Sequence, residues 1–103
     1  MSRATVKELK EGKIARAELF GLLREVTQKE SRNGSPYVII TVSDGKDDLQ
    51  AKMWDTKRAD IQYETGSVVC MIVDGAPYNG VMSFTASSIR AAGPYDGVKE
   101  EDF

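Results

Sequence analysis

The chain has 103 residues, 41% of them hydrophobic and 29% charged, with a net charge of −2, and this length predicts one domain with a small core. No apolar run is long enough to span a bilayer, and no signal-peptide core follows the first residues, so we expect no membrane partner and a cytoplasmic location. The chain has no histidine and a single cysteine, which excludes a histidine-based catalytic triad and argues against a zinc site, so we expect no catalytic residue, no metal and no cofactor.

The order of the predicted elements is typical of one all-β architecture. In chain order we predict a helical turn over residues 6–12, strands over 15–28, 37–43 and 49–54, a short helix over 57–63, and strands over 67–74 and 81–90. Asp55 or Thr56 is expected to cap the short helix, and residues 29–36 and 75–80 are expected to form loops. Gly21 lies inside the first strand, where it would tolerate a bulge. Three strands, a short helix and two further strands make a five-stranded Greek-key barrel, the OB-fold.

The charge is distributed unevenly along the chain. Residues 1–37 carry a balance of +3, residues 38–93 a balance of −2, and the last ten residues a balance of −3. Because salt screens charges beyond about 10 Å at moderate ionic strength, an acidic tail does not decide whether the rest of the chain binds phosphate. We interpret residues 1–92 as the OB-fold domain and residues 93–103 as an acidic linker that leads to a further domain in a longer protein.

Two runs in the middle of the chain predict a β-hairpin with two different faces. Tyr37–Ser43 and Leu49–Trp54 flank a segment, Asp44–Asp48, that has the composition of a turn. Successive strand residues point to opposite faces, so one set forms the core and the other faces outward. The core set is Val38, Ile40, Val42, Leu49, Ala51 and Met53. The outward set, which we call the outer face, pairs Tyr37 with Trp54, Ile39 with Lys52 and Thr41 with Gln50.

The outer face has the chemistry of a surface that binds single-stranded nucleic acid. Its two aromatic rings can stack bases, its lysine can contact a phosphate, and its hydroxyl and amide can hydrogen-bond base edges. Each residue also has a structural interpretation: Trp54 can pack under the helix or the first strand, and Lys52 and Gln50 can be solvated strand residues. The candidate binding residues on this face are Tyr37, Ile39, Thr41, Gln50, Lys52 and Trp54.

Two predicted loops supply further candidates. Lys29, Arg32 and Asn33 lie in the loop between the first two strands, which borders the ligand groove in OB-folds. Tyr78 and Asn79 lie in the loop between the last two strands, which faces that groove from the other side. The alternative for the first of these loops is that it is polar because it is exposed, whereas Tyr78 in the second has little local core to join.

Three stretches of the sequence carry a resemblance to a known family. Ser31–Tyr37, Leu49–Asp55 and Gly66–Val69 resemble the tRNA-anticodon type of OB nucleic-acid-binding domain, and within it the N-terminal OB domain of YhaM-type 3′–5′ exoribonucleases. The chain departs from that pattern at Asp47–Asp48, where a glycine is usual, and at Ser35, where a lysine is commoner. The resemblance implies a glutamine that reads a base edge at the position of Gln50, and a downstream HD domain that carries the nuclease chemistry.

The preferred hypothesis is therefore an OB module that binds single-stranded nucleic acid, RNA in preference to DNA, and holds the substrate for a catalytic domain in the same protein. The alternative is a protein-interaction or oligomerisation module, because an outer face with Tyr37, Ile39 and Trp54 can also pair with a second copy. A small-molecule site is a third possibility that no motif in the chain supports.

Overall fold

Alternating apolar residues and turn residues divide the chain into one α-helix and five strands. The computed structural model of the protein describes residues 3–94, 96–98 and 103. Within them the chain forms α1 (Val6–Lys10), β1 (Arg16–Glu30), β2 (Pro36–Ser43), β3 (Asp48–Trp54), a 3₁₀ turn (Arg58–Asp60), β4 (Val68–Tyr78) and β5 (Val81–Ala91). The first three strands match their predicted bounds to within two residues. No helix in this part of the chain is long and apolar enough to cross a bilayer.

The five strands close into a barrel in the order β1-β2-β3-β5-β4. β1 pairs antiparallel with both β2 and β4, and β3 meets β5 in parallel at Lys52 and Thr85. This closure and strand order are those of the Greek-key OB-fold, so the predicted fold is confirmed.

β1 has 15 residues and pairs with two neighbours in turn. Its pairing with β2 contains a register shift. The shift falls between Leu23 and Glu25, two residues beyond the glycine at which a bulge was predicted. Gly21 has a different role: a Cβ atom there would lie 2.7 Å from the backbone oxygen of Ser43. The glycine therefore permits a close approach of β1 to the end of β2.

Helix α1 closes one end of the barrel. Val6 and Leu9 are fully buried in the same apolar cluster as the inward residues of the strands. Thr5 caps the helix by accepting a hydrogen bond from the Glu8 N–H at 3.2 Å, and the Glu8 carboxylate accepts one from the Thr5 N–H at 3.0 Å. This reciprocal arrangement is a capping box, which favours a helix even over five residues.

Asp44 joins helix α1 to the hairpin between β2 and β3. Its Oδ2 accepts a hydrogen bond from the Val6 N–H at 3.0 Å, and its Oδ1 accepts bonds from the Lys46 and Asp47 N–H groups at 3.0 and 2.9 Å. Burial works to raise the pKa of Asp44, but the backbone hydrogen bonds from Asp47, Val6 and Lys46 outweigh it, so the net pKa is lowered from its usual value of 3.8.

The helix predicted over residues 57–63 is shorter than expected. Only the 3₁₀ turn Arg58–Asp60 forms, and the Asp60 carboxylate, rather than Asp55 or Thr56, accepts a hydrogen bond from the Lys57 N–H at 2.9 Å. Thr56 instead donates its hydroxyl hydrogen to the Trp54 carbonyl. Within this segment Ile61 alone is buried, so a longer helix would have no apolar stripe to hold it against the barrel.

The loop predicted over residues 75–80 is mostly strand. β4 continues to Tyr78, β5 begins at Val81, and the turn consists of Asn79 and Gly80, with φ angles of 51° and 79°. Two consecutive residues with positive φ are typical of the type I′ turn, whose twist matches that of the flanking strands and so lets them pair to the tip. We call the projecting part, residues 75–84, the hairpin arm.

Residues near both ends of the described chain meet around Phe20. We call this group, Arg3, Phe20, Arg90 and Asp96, the back cluster. The guanidinium groups of Arg3 and Arg90 lie 4.3 and 5.8 Å from the centroid of the Phe20 ring. Arg90 also donates two hydrogen bonds to the Asp96 carboxylate, at 2.9 and 3.0 Å, and these lower the pKa of Asp96 to about 2. Cys70 is buried beneath this cluster, and that burial raises its pKa to about 11.

The predicted linker remains a prediction. Among its described residues, Asp96 accepts hydrogen bonds from Arg90 and from the Gly93 N–H, so the start of the predicted linker contacts the back cluster. Tyr95 and the segment 99–102, which holds most of the predicted acidic charge, lie outside the described residues.

Candidate functional site

The outer face has the pairing that the sequence predicts. Tyr37 is opposite Trp54, Ile39 opposite Lys52 and Thr41 opposite Gln50, so these side chains share one face of the sheet. β1 adds a third residue to each of these pairs, which makes three rows across the face. Lys29 is opposite Tyr37, Thr27 is opposite Ile39, and Glu25 is opposite Thr41. Sequence reasoning missed Glu25 and Thr27, because their face depends on the register shift after Leu23.

The two aromatic rings of the outer face contact each other and are accessible. Their centroids are 4.8 Å apart and their planes are inclined by 46°, so the rings are tilted rather than coplanar. Trp54 is 49% exposed, whereas Tyr37 is half-buried. The interpretation of Trp54 as a core residue is therefore wrong, and about half of its surface is accessible.

Lys52 lies over both rings. Its Nζ is 5.5 Å from the centroid of Trp54 and 5.9 Å from that of Tyr37, within the range of cation–π attraction. Among the described residues, no carboxylate lies within ion-pair distance of this ammonium. The aromatic pair and the lysine thus form one cluster, in which the rings are the partners of the cation.

The hairpin arm forms the second wall of a groove. A recess of about 290 Å³ separates Ile39, Gln50 and Lys52 from the arm. Tyr78 and Val81 are 72% and 69% exposed, so the arm presents apolar surface. The residues that line the recess from the arm are Tyr78, Val81, Met82, Ser83 and Phe84.

Sequence reasoning missed Val81, Met82 and Ser83 as part of this wall. The signal was present, because Asn79-Gly80 is the strongest short-range hairpin signature and predicts pairing immediately on either side of it. Asn79 itself lies in the exposed turn beside Tyr78 and is not among the residues that line the recess.

The loop between β1 and β2 borders the other end of the outer face. Arg32 and Asn33 line a second, open recess together with Trp54. The amide oxygen of Asn33 accepts hydrogen bonds from the Ser31 hydroxyl and, at 3.4 Å, from the Ser35 N–H, so this residue shapes the loop. Arg32 is exposed and can reach a ligand that crosses Trp54.

Positive charge and aromatic surface coincide on this face. Lys29 is exposed, opposite Tyr37, and shares a third recess with Lys57, the first residue of the predicted short helix. Glu25 lies two rows away and accepts a hydrogen bond from the Thr27 hydroxyl at 3.0 Å. Glu30 lines the recess of Lys29, and Asp55 lines the recess of Arg32, so four cations and two carboxylates lie at the end of the face that carries the aromatic pair. Within the residues that the structure describes, no group of three or more metal-ligating side chains converges.

Comparison with known proteins supports the resemblance seen in the sequence. The chain is 33% identical over 87 residues to the 3′-5′ exoribonuclease YhaM of Listeria innocua, and 31% identical over 87 residues to that of Bacillus licheniformis. Both alignments cover 84% of this chain, but the chain spans only 28% of the length of either relative. No family model matches the chain.

Solved structures with the same fold include several OB-fold proteins. A TM-score of 0.65 at 14% identity relates 89% of this chain to 88% of the OB domain of Ta0387 from Thermoplasma acidophilum. The mitochondrial single-stranded DNA binding protein Rim1 of S. cerevisiae gives 0.62 at 16% identity, over 74% of this chain and 92% of that one. A replication protein A heterotrimer bound to single-stranded DNA gives 0.62 at 12% identity, over 81% and 62%. At these identities the likeness shows the fold, and the fold is the one predicted.

Proposed function

We propose that this chain is an OB-fold module that binds single-stranded nucleic acid, RNA in preference to DNA, and that it holds the substrate for an exoribonuclease-like protein. The observation that carries the proposal is the accessible Tyr37–Trp54 pair beside Lys52, in a groove between the loop of residues 31–35 and the hairpin arm. Stacking on aromatic rings together with contacts to a few phosphates binds single strands with little sequence preference.

Each part of the groove has a role in the proposed mechanism. Bases stack on Tyr37 and Trp54, and a stacked base contributes about 1–3 kcal/mol. Lys29, Arg32 and Lys52 contact phosphates, which gives affinity without sequence information. The remaining outer-face candidates Ile39, Thr41 and Gln50 border the path of the bases, with Tyr78 on the opposite wall.

The preference for RNA and the link to a nuclease rest on the relatives. The proteins that are 31–33% identical to this chain are named 3′-5′ exoribonucleases, and this chain spans 28% of their length. The chain has no histidine. We therefore propose that this module binds the substrate and that cleavage takes place in another part of such a protein.

Titration with a labelled single-stranded RNA at increasing salt tests the proposal. If three cations each contact one phosphate, log Kobs falls with log salt with a slope of about −2, because each neutralised phosphate of a single strand contributes about −0.7. The matched DNA strand measures the preference for RNA. Equal binding at low and high salt, or no binding at the lowest salt, contradicts the proposal.

A second candidate function is a protein-interaction or oligomerisation module. The exposed side chains of Trp54, Tyr78 and Val81 favour it, because exposed apolar surface on a small domain marks interfaces. Size-exclusion chromatography with light scattering distinguishes the two. A stable dimer in which Trp54 fluorescence is protected from a soluble quencher supports the second candidate, and a monomer that binds RNA supports the first.

A further inference from the structure

The ammonium group of Lys52 has both rings of the aromatic pair as cation–π partners. It lies over them, 5.5 Å from the centroid of Trp54 and 5.9 Å from that of Tyr37, so a base that stacks on this side of the pair competes with it. Lys52 is half-buried, and none of the hydrogen bonds and ion pairs of the described residues involves its side chain. Its charge is therefore compensated by the two rings and by water.

Displacement of this ammonium has a cost that depends on the ligand. A base that stacks on the covered side of the rings must end the cation–π contact, which is stabilising even at exposed sites. A neutral ligand offers the displaced cation no new partner. A nucleotide within a chain brings a phosphate, and a charge-assisted bond to its oxygens is stronger than the contact that was lost.

Lys29 provides a contrast on the same face. It lies opposite Tyr37 on β1 and is exposed, but of these two lysines only Lys52 lies within cation–π distance of a ring. Lys29 can attract a phosphate, but it does not cover the aromatic pair. Substitution of each lysine in turn therefore separates the effect of positive charge from the effect of the cation–π contact with the rings.

We infer that Lys52 acts as a selectivity residue: its ammonium competes with uncharged ligands for the aromatic pair and yields to bases carried on a phosphate backbone. The site then takes phosphodiester-linked nucleotides and discriminates against nucleosides and neutral aromatic compounds. This inference rests on the proposed function, since it concerns the same groove.

The test compares two oligonucleotides of one sequence, one with phosphodiester linkages and one with neutral methylphosphonate linkages, on the wild-type chain and the variants K52M and K29M. Methionine keeps the unbranched shape and most of the length of the lysine side chain and removes its charge. K52M is expected to bind the neutral oligonucleotide about two- to fivefold more tightly than the wild type, because a stacking base no longer breaks a cation–π contact. The same variant is expected to bind the phosphodiester strand more weakly, with a salt slope smaller in magnitude by about 0.7.

K29M is the matched control. It is expected to lose phosphodiester binding in the same way, because it also removes one phosphate contact, but to leave binding of the neutral oligonucleotide unchanged. A second variant, K52R, keeps a cation that stacks on aromatic rings and is expected to retain both the phosphodiester affinity and the exclusion of the neutral strand. Thermal unfolding of each variant confirms that the compared proteins are folded.

The outcomes are distinguishable. If the wild type binds the phosphodiester strand but K52M binds the neutral strand no better than the wild type does, the selectivity role is wrong and the proposed function stands. The same conclusion follows if K29M gains neutral-strand affinity equally. If the wild type fails to bind the phosphodiester strand at low salt, the proposed function itself fails.

Discussion

At the scale of single residues, position along a strand decides whether an apolar side chain joins the core or the outer face. Val38 and Ile40 are fully buried, whereas their neighbours Tyr37 and Ile39 lie on the outer face. Trp54 ends β3, where the barrel no longer covers it, and half of its surface is exposed. Large aromatic residues are commonly buried, so this exposure is what makes a role in binding arguable.

Trp54→Ala separates binding from stability. Because the indole is half-exposed and its removal leaves no closed cavity, we expect the free energy of unfolding to fall by only about 1–2 kcal/mol, through the loss of its contacts with Tyr37 and Lys52. The affinity for a single-stranded RNA is expected to fall by about 1–3 kcal/mol, the contribution of one stacked base. Chemical denaturation and RNA titration of the same variant measure the two quantities.

Tyr63→Ala is the control for that prediction, because Tyr63 is half-buried against the core and lies outside the outer face. It is expected to lower stability and to leave the RNA affinity of the folded protein unchanged. A Trp54→Ala variant that unfolds easily yet binds RNA normally while folded would refute the aromatic site.

At the scale of elements, turns and caps hold the strands and the helix in place. The Asp44 carboxylate accepts backbone hydrogen bonds from its own turn and from the start of α1, so one side chain couples a hairpin to a helix. The hairpin arm depends on Asn79 and Gly80, whose positive φ angles allow β4 and β5 to pair to the tip. The Asp44 carboxylate acts on the helix that closes the barrel, and the Asn79-Gly80 turn acts on the hairpin arm that borders the proposed groove.

Asp44→Ala should destabilise the protein in a pH-dependent manner. At pH 7 we expect a loss of about 1–3 kcal/mol, because three backbone N–H groups lose a charged acceptor. The folded pKa of Asp44 lies below the unfolded value near 3.8, so its contribution is present above pH 3.8 and is lost as the pH falls through the folded pKa. The difference in stability between wild type and variant should therefore narrow below pH 3.8 in urea denaturation.

Asp47→Ala is the matched control in the same turn, since Asp47 is exposed and its N–H, rather than its carboxylate, bonds to Asp44. It should change stability by no more than about 0.5 kcal/mol at any pH. A pH-independent loss in Asp44→Ala would show that the carboxylate is not the source of the coupling.

At the scale of the whole molecule, the barrel is closed by one long strand and filled at one end by a short helix. β1 pairs with β4 from Arg16 to Leu22 and with β2 from Leu22 to Glu30, so this one strand joins the two ends of the sheet. α1 contributes Val6 and Leu9 to the central apolar cluster. A five-residue helix is not stable alone, so its structure depends on this burial and on its capping box.

Leu9→Ala tests whether α1 is part of the barrel core. Because the Leu9 side chain is fully buried, we expect a loss of about 2–5 kcal/mol in the free energy of unfolding. Lys10→Ala, at an exposed position of the same helix, should stay within about 0.5 kcal/mol of the wild type. Equal stability of the two variants would mean that the helix does not belong to the core.

The sequence by itself determined the strand pattern, the pairing of β2 with β3, the OB-fold and the residues that β2 and β3 contribute to the outer face. These features follow from short-range rules: apolar residues alternate with a period of two, and a turn between two such runs sets which residues oppose each other. The rows from Tyr37–Trp54 to Thr41–Gln50 were therefore predictable before any tertiary contact was known.

Only the tertiary structure decided how α1 fills the barrel, how Glu25 and Thr27 join the outer face, and how Lys52 lies over the aromatic pair. Each of these depends on contacts between distant parts of the chain or on a side-chain conformation. The register shift after Leu23 changes which residues of β1 face outward, and the direction of a lysine ammonium is set by the rings around it. Local periodicity carries no information about the register shift or the direction of the lysine side chain, because both depend on packing within the closed barrel.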